Sequence, residues 1–245
     1  MRNIMPLLQF ISDENLFSEV RLLVRKTLKK RKQAEGDFTK NVVDPFCALF
    51  EAPAFQDHDA WKSSELMRQT QKTIQNHVGT FHQKILGHVT GWNDLGTGSV
   101  VDLVNSDLKI IAEVKNKYST VTGGDLSNKY NSLDGLVSPK HSKFKGYTSY
   151  FVQIIPKKPL RYNLPFTPSD KEKGESCTLN ELIRVIDGAS FYELVTGRKY
   201  GLKELHEVLP KVIEKVYQEE LGDDNFTFRD IENYETYFGL AYGTK

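Results

Sequence analysis

The fold of this chain is decided by the segment Ser99-Val-Val-Asp-Leu-Val-Asn-Ser-Asp-Leu-Lys-Ile-Ile-Ala-Glu-Val-Lys-Asn-Lys117, which predicts two β-strands joined by a polar turn. Side chains alternate between the two faces of a strand, so Glu113 and Lys115 share a face of the second strand. Positions 110–114 are apolar at four of five places, as in a buried strand. Charged side chains are costly to bury, so a carboxylate and an amine in such a strand suggest a functional role. Together with Asp102 of the first strand, they predict two carboxylates and a lysine that could meet one metal ion.

The spacing of these residues resembles a known nuclease signature. Asp102 followed by Glu113-Val114-Lys115 resembles the PD-(D/E)XK nuclease superfamily, with Val101 in place of the first Pro. Such a pattern alone also occurs by chance, and a surface hairpin with ordinary charges is the alternative. A wider stretch, from about Thr73 to Val216, resembles the type II restriction endonucleases that recognise GGNCC. The segments that carry this resemblance are residues 81–87, 110–118, 150–158, 162–170 and 187–192.

The resemblance implies a fold, a metal cofactor and the products of DNA cleavage. It implies an α/β, PD-(D/E)XK restriction-endonuclease-like fold, with a mixed sheet core flanked by helices and with helical N- and C-terminal additions. Asp102, Glu113 and the backbone carbonyl of Val114 would hold Mg²⁺, which favours oxygen ligands. Lys115 would position or activate water for phosphodiester hydrolysis. Cleavage would leave 5′-phosphate ends, between the two guanines, with a three-base 5′ overhang.

The expected partner is double-stranded DNA, and the expected assembly is a homodimer. GGNCC is palindromic about its central base and one site cuts one strand, so a two-fold pair is expected. A cognate DNA methyltransferase would belong to the same system. Two alternatives stay open: a PD-(D/E)XK nuclease of DNA repair or junction processing, and a non-enzymatic DNA-binding module in which the hairpin is structural.

Composition favours a single domain and excludes several other classes of site. The 245 residues, 39% of them hydrophobic, suffice for one domain over 1–245, with a helical part (1–62), a catalytic α/β core (63–160) and a recognition loop with C-terminal helices (161–245). The net charge of +1 does not by itself indicate that the protein binds a polyanion. Two distant cysteines and six scattered histidines argue against a zinc site or a disulfide framework. Residues 4–11 are too short to span a membrane and lack a signal-peptide cleavage region, so a cytoplasmic protein is expected.

Three helices are predicted before the hairpin. The first begins at Ser12 or Asp13 and ends at Gly36, and the second begins at Asp44-Pro45 and packs on the first. Phe46, Leu49 and Phe50 are expected to be the buried side of the second helix. The third begins at Ser63 or Ser64 and ends near Gly87. Its polar side carries Gln83 and His82, which are candidates for site support along with Asn116 and Lys117, although ordinary surface positions are the alternative for Gln83 and His82.

After the hairpin, the pattern predicts a helix over 126–137 and a strand over 147–155, followed by a long loop over 156–177. Long loops without secondary structure are often functional. Guanine presents O6 and N7 in the major groove, which suit Arg or Lys, so Arg161 and Lys158 are candidates for base recognition. Phosphate contact or solubility is the alternative. The wider set of DNA-binding candidates is Lys140, Lys157, Lys158, Arg161 and Lys171.

The C-terminal third is predicted to be helical. Thr178-x-x-Glu181 matches a capping box that would open a helix through Ile183 and Ile186. A short helix begins at Ser190 and ends at Gly197, and a longer one, kinked or divided at Pro210, runs from 202 to 216. The last helix begins near Asp230, and its aromatic stripe is interpreted as core packing, with a dimer surface as the alternative.

Overall fold

A computed structural model describes residues 5–40, 42–96 and 98–243. The helices are α1 (Asp13–Asp37), α2 (Pro45–Glu51), α3 (His58–Gly87), α4 (Gly123–Val137), α5 (Gly188–Thr196), α6 (Gly201–Leu221) and α7 (Ile231–Tyr242). Short 3₁₀ turns follow α1 and α2, at Phe38–Lys40 and Ala52–Ala54. The strands are β1 (Asn93–Asp94), β2 (Leu103–Asn105), β3 (Ile110–Lys117), β4 (Thr148–Ile155), β5 (Asn163–Pro165), β6 (Ser169–Asp170), β7 (Glu175–Ser176) and β8 (Ile183–Asp187).

The centre of the molecule is a mixed six-stranded sheet with the order β1-β2-β3-β4-β8-β5. Strands β3, β4 and β8 run parallel, while β1, β2 and β5 pair antiparallel with their neighbours. Helix α4 provides the crossover between β3 and β4, as a parallel pair requires. The predicted mixed sheet core flanked by helices is therefore confirmed.

The two faces of the sheet bury different helices. Ile110, Ala112 and Val114 of β3 lie in one core with residues of α1, α3, α5 and α6. Ile111, on the opposite face, lies in a second core with Tyr130 and other residues of α4. The alternation predicted for β3 thus divides its apolar side chains between two cores. Within the described ranges, no helix has the length and apolar character needed to cross a bilayer.

The prediction for α2 is partly wrong. Asp44 caps the helix as predicted, because its carboxylate accepts the N–H groups of Phe46 and Cys47. However, Phe46, Leu49 and Phe50 are exposed, with 74%, 71% and 87% of their surface accessible. No residue of α2 is buried, so it does not bury an apolar face on α1. Pattern alone cannot distinguish a face that packs inside the chain from one that does not.

The predicted helix after Thr178 is also wrong, because Ile183–Asp187 forms strand β8 beside β4. The amide side chain and carbonyl of Asn180 accept the N–H groups of Leu182 and Ile183, which forms a turn where the capping box was expected. Ile183 and Ile186 are then buried in the two cores. β-Branched residues fit a pleated, buried surface, and here that packing outweighs the local capping signal.

The segment 156–177 was predicted to be a long loop without secondary structure, and this prediction is wrong. It contains β5, which pairs with β8 at the sheet edge, and the β6–β7 hairpin. Helix α3 begins earlier than predicted, at the cap residue Asp57, whose carboxylate accepts the N–H of Ala60. Helix α6 runs through Pro210 as one helix. Helix α7 buries no residue completely, although Phe238 packs partly against the first core.

Candidate active site

The hairpin of β2 and β3 brings Asp102 beside Glu113 where the pairing of the two strands ends. Leu103 lies opposite Ala112, and the N–H of Asp102 still donates to the Ala112 carbonyl at 2.8 Å. Beyond this point the side chain replaces the backbone as acceptor, because Asp102 Oδ2 accepts the N–H of Val114 at 2.7 Å. The carboxylate of Asp102 is therefore fixed against the middle of β3.

Glu113 is a buried carboxylate held by two lysines. Only 4% of its surface is accessible. Its Oε1 lies 2.7 Å from Nζ of Lys115 on the same strand and 2.9 Å from Nζ of Lys129 on α4. A buried charge is costly unless it is paired and hydrogen-bonded, and these contacts provide that pairing. Lys129 was not identified from the sequence, because its approach depends on the position of α4.

The electrostatic environment of Asp102 favours protonation. Burial, followed by the nearby charge of Glu113, raises the pKa of Asp102 from 3.8 to about 6. The hydrogen bond from the Val114 N–H and the charge of Lys115 act in the opposite direction. A carboxylate whose pKa is raised by burial and by a neighbouring negative charge is a site where a bound cation would be stabilised.

A cleft between α3 and β3 is lined in part by Asp102 and Lys115. It has a volume of about 420 Å³, and Val114 also forms part of its wall. Asn116 and Lys117 line the same cleft, and Asn116 Nδ2 donates to the carbonyl of Gln75 at 3.4 Å. From α3 come the lining residues Lys72, Gln75, Asn76, Gly79, Thr80 and Gln83. The polar side of α3 therefore faces β3 across the cleft.

Gln83 lines this cleft and connects it to a third carboxylate. Its Nε2 donates to Asp94 Oδ1 at 2.7 Å, and Nζ of Lys84 lies 2.5 Å from Asp94 Oδ2. Burial acts to raise the pKa of Asp94, but hydrogen bonds from Lys84, the Gly96 N–H and Gln83 together hold it below its ordinary value. Asp94 was missed from the sequence, because the two-residue strand β1 has no periodicity of its own.

His82 lies in a different environment from Gln83. Its Nδ1 is 2.8 Å from the hydroxyl of Tyr192, and the two rings meet edge to face. Burial lowers the pKa of His82 to about 4, so the ring is neutral near pH 7. His82 is not among the residues that line the cleft. The structure therefore places it in the packing between α3 and α5.

The five basic candidates for DNA contact are exposed and lie outside the cleft lining. Arg161 is already engaged, since its guanidinium lies 2.5 Å from Glu193 Oε2 and donates to the Ser190 hydroxyl at 3.1 Å. Lys157 and Lys158 follow the end of β4, and Lys171 lies in the β6–β7 turn. Lys140 follows α4. The structure brings Lys117, but none of these five, into the lining of the α3–β3 cleft.

The donors present fit a hard divalent cation better than a transition metal. Among the residues with described placement, no group of three or more His, Cys, Asp or Glu side chains has a metal-binding arrangement. Asp102 and Glu113 provide two carboxylates on adjoining strands, next to the backbone of Val114. Mg²⁺ is commonly held by one or two carboxylates and keeps several waters, so this smaller donor set suits it.

Comparisons with known proteins relate the chain to type II restriction enzymes. A family model described as "Eco47II restriction endonuclease" matches residues 8–218. The type II restriction enzyme Eco47II of Escherichia coli is 64% identical over 239 residues, which cover 98% of this chain and 100% of that enzyme. The type II restriction enzyme Sau96I of Staphylococcus aureus is 32% identical over 209 residues, which cover 83% of this chain and 78% of that enzyme.

Proposed function

Because the chain belongs to the Eco47II restriction endonuclease family and is a type II restriction endonuclease, we propose that it cuts double-stranded DNA at GGNCC with Mg²⁺ as cofactor. Family membership decides against the repair nuclease and the non-enzymatic module. The observation that supports the proposed catalytic centre is that Asp102 and Lys115 line the α3–β3 cleft, with Glu113 in contact with Lys115. A PD-(D/E)XK fold is the corresponding proposal for the sheet.

Each side chain of the centre has a role that follows from its environment. Asp102 and Glu113, with the carbonyl of Val114, would hold Mg²⁺. When bound, Mg²⁺ offsets the charge that develops on the phosphoryl oxygens and lowers the pKa of a bound water. Lys115 lies close enough to Glu113 to orient a water at the same point and to donate to a phosphoryl oxygen. The Val114 N–H fixes the Asp102 carboxylate in advance, which limits reorganisation when the substrate binds.

The cleft wall supplies groups for the rest of the substrate. Lys72 and Lys117 are cations on opposite walls, and Gln75 and Asn76 are amides that can donate to phosphate oxygens. The five outlying basic residues remain proposed DNA contacts, with Arg161 free to bind a base only if it leaves Glu193. Since GGNCC is palindromic and each chain holds one centre, we propose a two-fold homodimer acting in the cytoplasm beside a cognate methyltransferase.

The proposal is tested by digestion of a plasmid of known sequence in Mg²⁺, with the ends of every fragment sequenced. We expect cuts at GGNCC sites and nowhere else, between the two guanines, with 5′-phosphate ends. An oligonucleotide duplex in which one outer G·C pair is replaced is the matched control, and it should stay intact. Fragments that end at a different sequence would refute the proposed specificity, and an uncut plasmid across a range of salt would refute the proposed activity.

A further inference from the structure

A groove beside the catalytic cleft has no role in the function described so far. It has a volume of about 440 Å³, and it lies between β3 and α4. Lys115 and Thr120 line both the groove and the cleft, so the two spaces adjoin at the end of β3. From α4, the groove is lined by Asp125, Asn128, Lys129 and Ser132. These residues lie at spacings of three and four, on the side of α4 opposite its buried residues.

Lys129 is the residue of this groove whose partner is a proposed metal ligand. Without metal, two ammonium groups compensate the charge of Glu113, and both contact the same oxygen. A cation bound by Glu113 would compete with these two ammonium groups for the charge of the same carboxylate, and would thereby weaken their contacts. Lys115 is held nearby by the strand that carries both residues. Lys129 comes from a separate helix, and 37% of its side chain is accessible, so it can turn into the groove.

We propose that Lys129, with the polar side chains of Asn128 and Ser132, binds a backbone phosphate of the DNA in the α4 groove once Glu113 no longer holds it. This inference deepens the proposed function, since it concerns the same substrate. An ammonium group, an amide and a hydroxyl are donors suited to phosphate oxygens. A phosphate there would lie beside Lys115, on the side of the centre away from α3. Lys129 would thus neutralise Glu113 in the free protein and bind substrate in the complex.

The experiment needs neither metal nor cleavage. In EDTA, the affinity of a GGNCC duplex is measured by fluorescence anisotropy from 50 to 200 mM salt, for Glu113→Gln and for Glu113→Gln combined with Lys129→Gln. In Glu113→Gln, the negative charge that retains Lys129 is absent. Each phosphate contact contributes about 0.9 to the slope of log affinity against log salt. Raising the salt from 50 to 200 mM should therefore weaken the binding of both variants, and the fold-loss of affinity should be about 3.5 times smaller for the double variant than for Glu113→Gln alone.

Lys211→Gln in the same background is the matched control, because Lys211 is an exposed lysine on α6 and the change in net charge is the same. It should leave the slope of Glu113→Gln unchanged. Circular dichroism checks that each variant folds, and Glu113→Ala serves as a second background. Equal slopes with and without Lys129 would overturn the inference, because a purely structural Lys129 would alter stability alone. If the Glu113→Gln protein does not prefer GGNCC over unrelated DNA, the proposed specificity fails instead.

A second surface is supported by an independent observation, the exposed apolar side of α2. Phe46, Leu49 and Phe50 are spaced by three and four residues, so they form one stripe on this helix. Met67 on α3, 63% exposed, lines a groove together with residues that follow α2. An aromatic side chain such as Phe46 or Phe50 can present about 150–250 Å², and together with the smaller Leu49 and Met67 these residues expose on the order of 600 Å². That area is at the upper end of the apolar patches found on monomers, about 300–600 Å², and it approaches the roughly 800 Å² per partner of a standard interface.

The chemistry of this stripe favours a second copy of the chain over DNA. Protein–DNA interfaces are polar and positively charged, whereas this stripe consists of aromatic and aliphatic side chains. A two-fold contact uses the same patch on both chains, and an apolar stripe can pack on its own copy. Helix α3 runs from this stripe to the catalytic cleft, and Met67 precedes Gly79 by about 18 Å of helix. A contact there would place the two clefts on either side of the axis.

We infer that the α2 stripe packs against the same stripe of a second chain, an interface that rests on the proposed two-fold assembly. Sedimentation of the free protein without DNA tests it at micromolar concentration. Wild type should be a dimer, and Phe50→Asp should be a monomer with an unchanged circular dichroism spectrum. Leu240→Asp on α7, where Leu240 is 71% exposed, is the matched control and should remain a dimer.

Two results would overturn this interface. A monomeric wild type would exclude it, and a dimeric Phe50→Asp would place the contact elsewhere, with α7 indicated if Leu240→Asp dissociates. Neither result decides whether the protein recognises GGNCC, which is measured separately by digestion of plasmid. If the dimer forms through α2, Phe50→Asp should also lose coordinated cutting of both strands, because each chain holds one centre.

Discussion

Replacement of Asp102 by Asn should stabilise the metal-free protein at high pH and have little effect at low pH. In the folded protein the pKa of Asp102 is about 6, whereas its ordinary value is 3.8. Below pH 3.8 the group is protonated in both states and carries no penalty. As the pH rises from 3.8 to 6, the unfolded chain ionises first, so the folded state loses stability. Above pH 6 this loss is complete.

The magnitude follows from the difference between these two pKa values, which corresponds to about 3 kcal/mol. Residual solvent exposure of the Asp102 carboxylate screens part of this energy, so the expected gain for Asp102→Asn at pH 8 is about 1–3 kcal/mol. Asparagine retains an oxygen that can accept the Val114 N–H, which keeps the hairpin contact. For a chain of this size each kcal/mol raises Tm by about 2–4 °C.

The assay is urea denaturation in EDTA at pH 4, 6 and 8, for wild type, Asp102→Asn and the control Asp107→Asn. Asp107 is an exposed carboxylate in the turn between β2 and β3, and its replacement should change stability by less than about 0.5 kcal/mol at each pH. Addition of Mg²⁺ at pH 8 should stabilise wild type and not Asp102→Asn. Equal stability of wild type and Asp102→Asn at pH 8, or a less stable variant, would refute the reasoning about this carboxylate.

Two further predictions concern groups outside the centre. Because burial lowers the pKa of His82 to about 4, its ring resonances should not move between pH 5.5 and 8 in an NMR titration, and a midpoint near 6.5 would contradict its placement against Tyr192. Gly188→Ala should destabilise the protein by at least about 1–3 kcal/mol in urea, because an added Cβ would lie 2.3 Å from the Ile154 carbonyl oxygen. Gly124→Ala, where a Cβ would meet no atom within 4 Å, is its control, and similar losses for both would refute the packing argument.

The β2–β3 hairpin could be predicted because its signals are local. Alternation of side chains in 110–115 fixes the faces of β3, and a short polar turn fixes the antiparallel partner that carries Asp102. The connection between the two strands leaves little freedom for their relative position. The proximity of Asp102, Glu113 and Lys115 therefore follows from the local sequence and needs no contact between distant elements.

Residues that arrive from distant elements could not be predicted in this way. Lys129 reaches Glu113 only because α4 packs on one face of the sheet, and Asp94 reaches Gln83 only because β1 pairs at its edge. Neither residue has a pattern in the sequence that indicates its partner. The exposure of Phe50 has a related cause, because an apolar stripe indicates burial without indicating which chain provides the covering surface.

Strand β8 shows how a local signal can lose to packing. The capping-box match at Thr178 and Glu181 predicted a helix, but the following residues are β-branched or lie at the correct spacing to bury Ile183 and Ile186 on the two faces of the sheet. Strand β8 lies between β4, to which it is parallel, and β5, to which it is antiparallel, and in this position it buries both side chains. Local propensity is a weak prior in such a position, because cross-strand packing contributes more.

The central claim, that Asp102, Glu113 and Lys115 form the centre that cuts GGNCC, is tested most directly by single-turnover cleavage of a duplex with one GGNCC site. Wild type, Glu113→Gln and Lys115→Ala are compared in Mg²⁺ with enzyme in excess, and DNA binding is measured separately in EDTA. We predict cutting by wild type and a loss of at least about 100-fold in both variants, with measurable binding retained. Cutting by either variant within a few-fold of wild type would contradict the account.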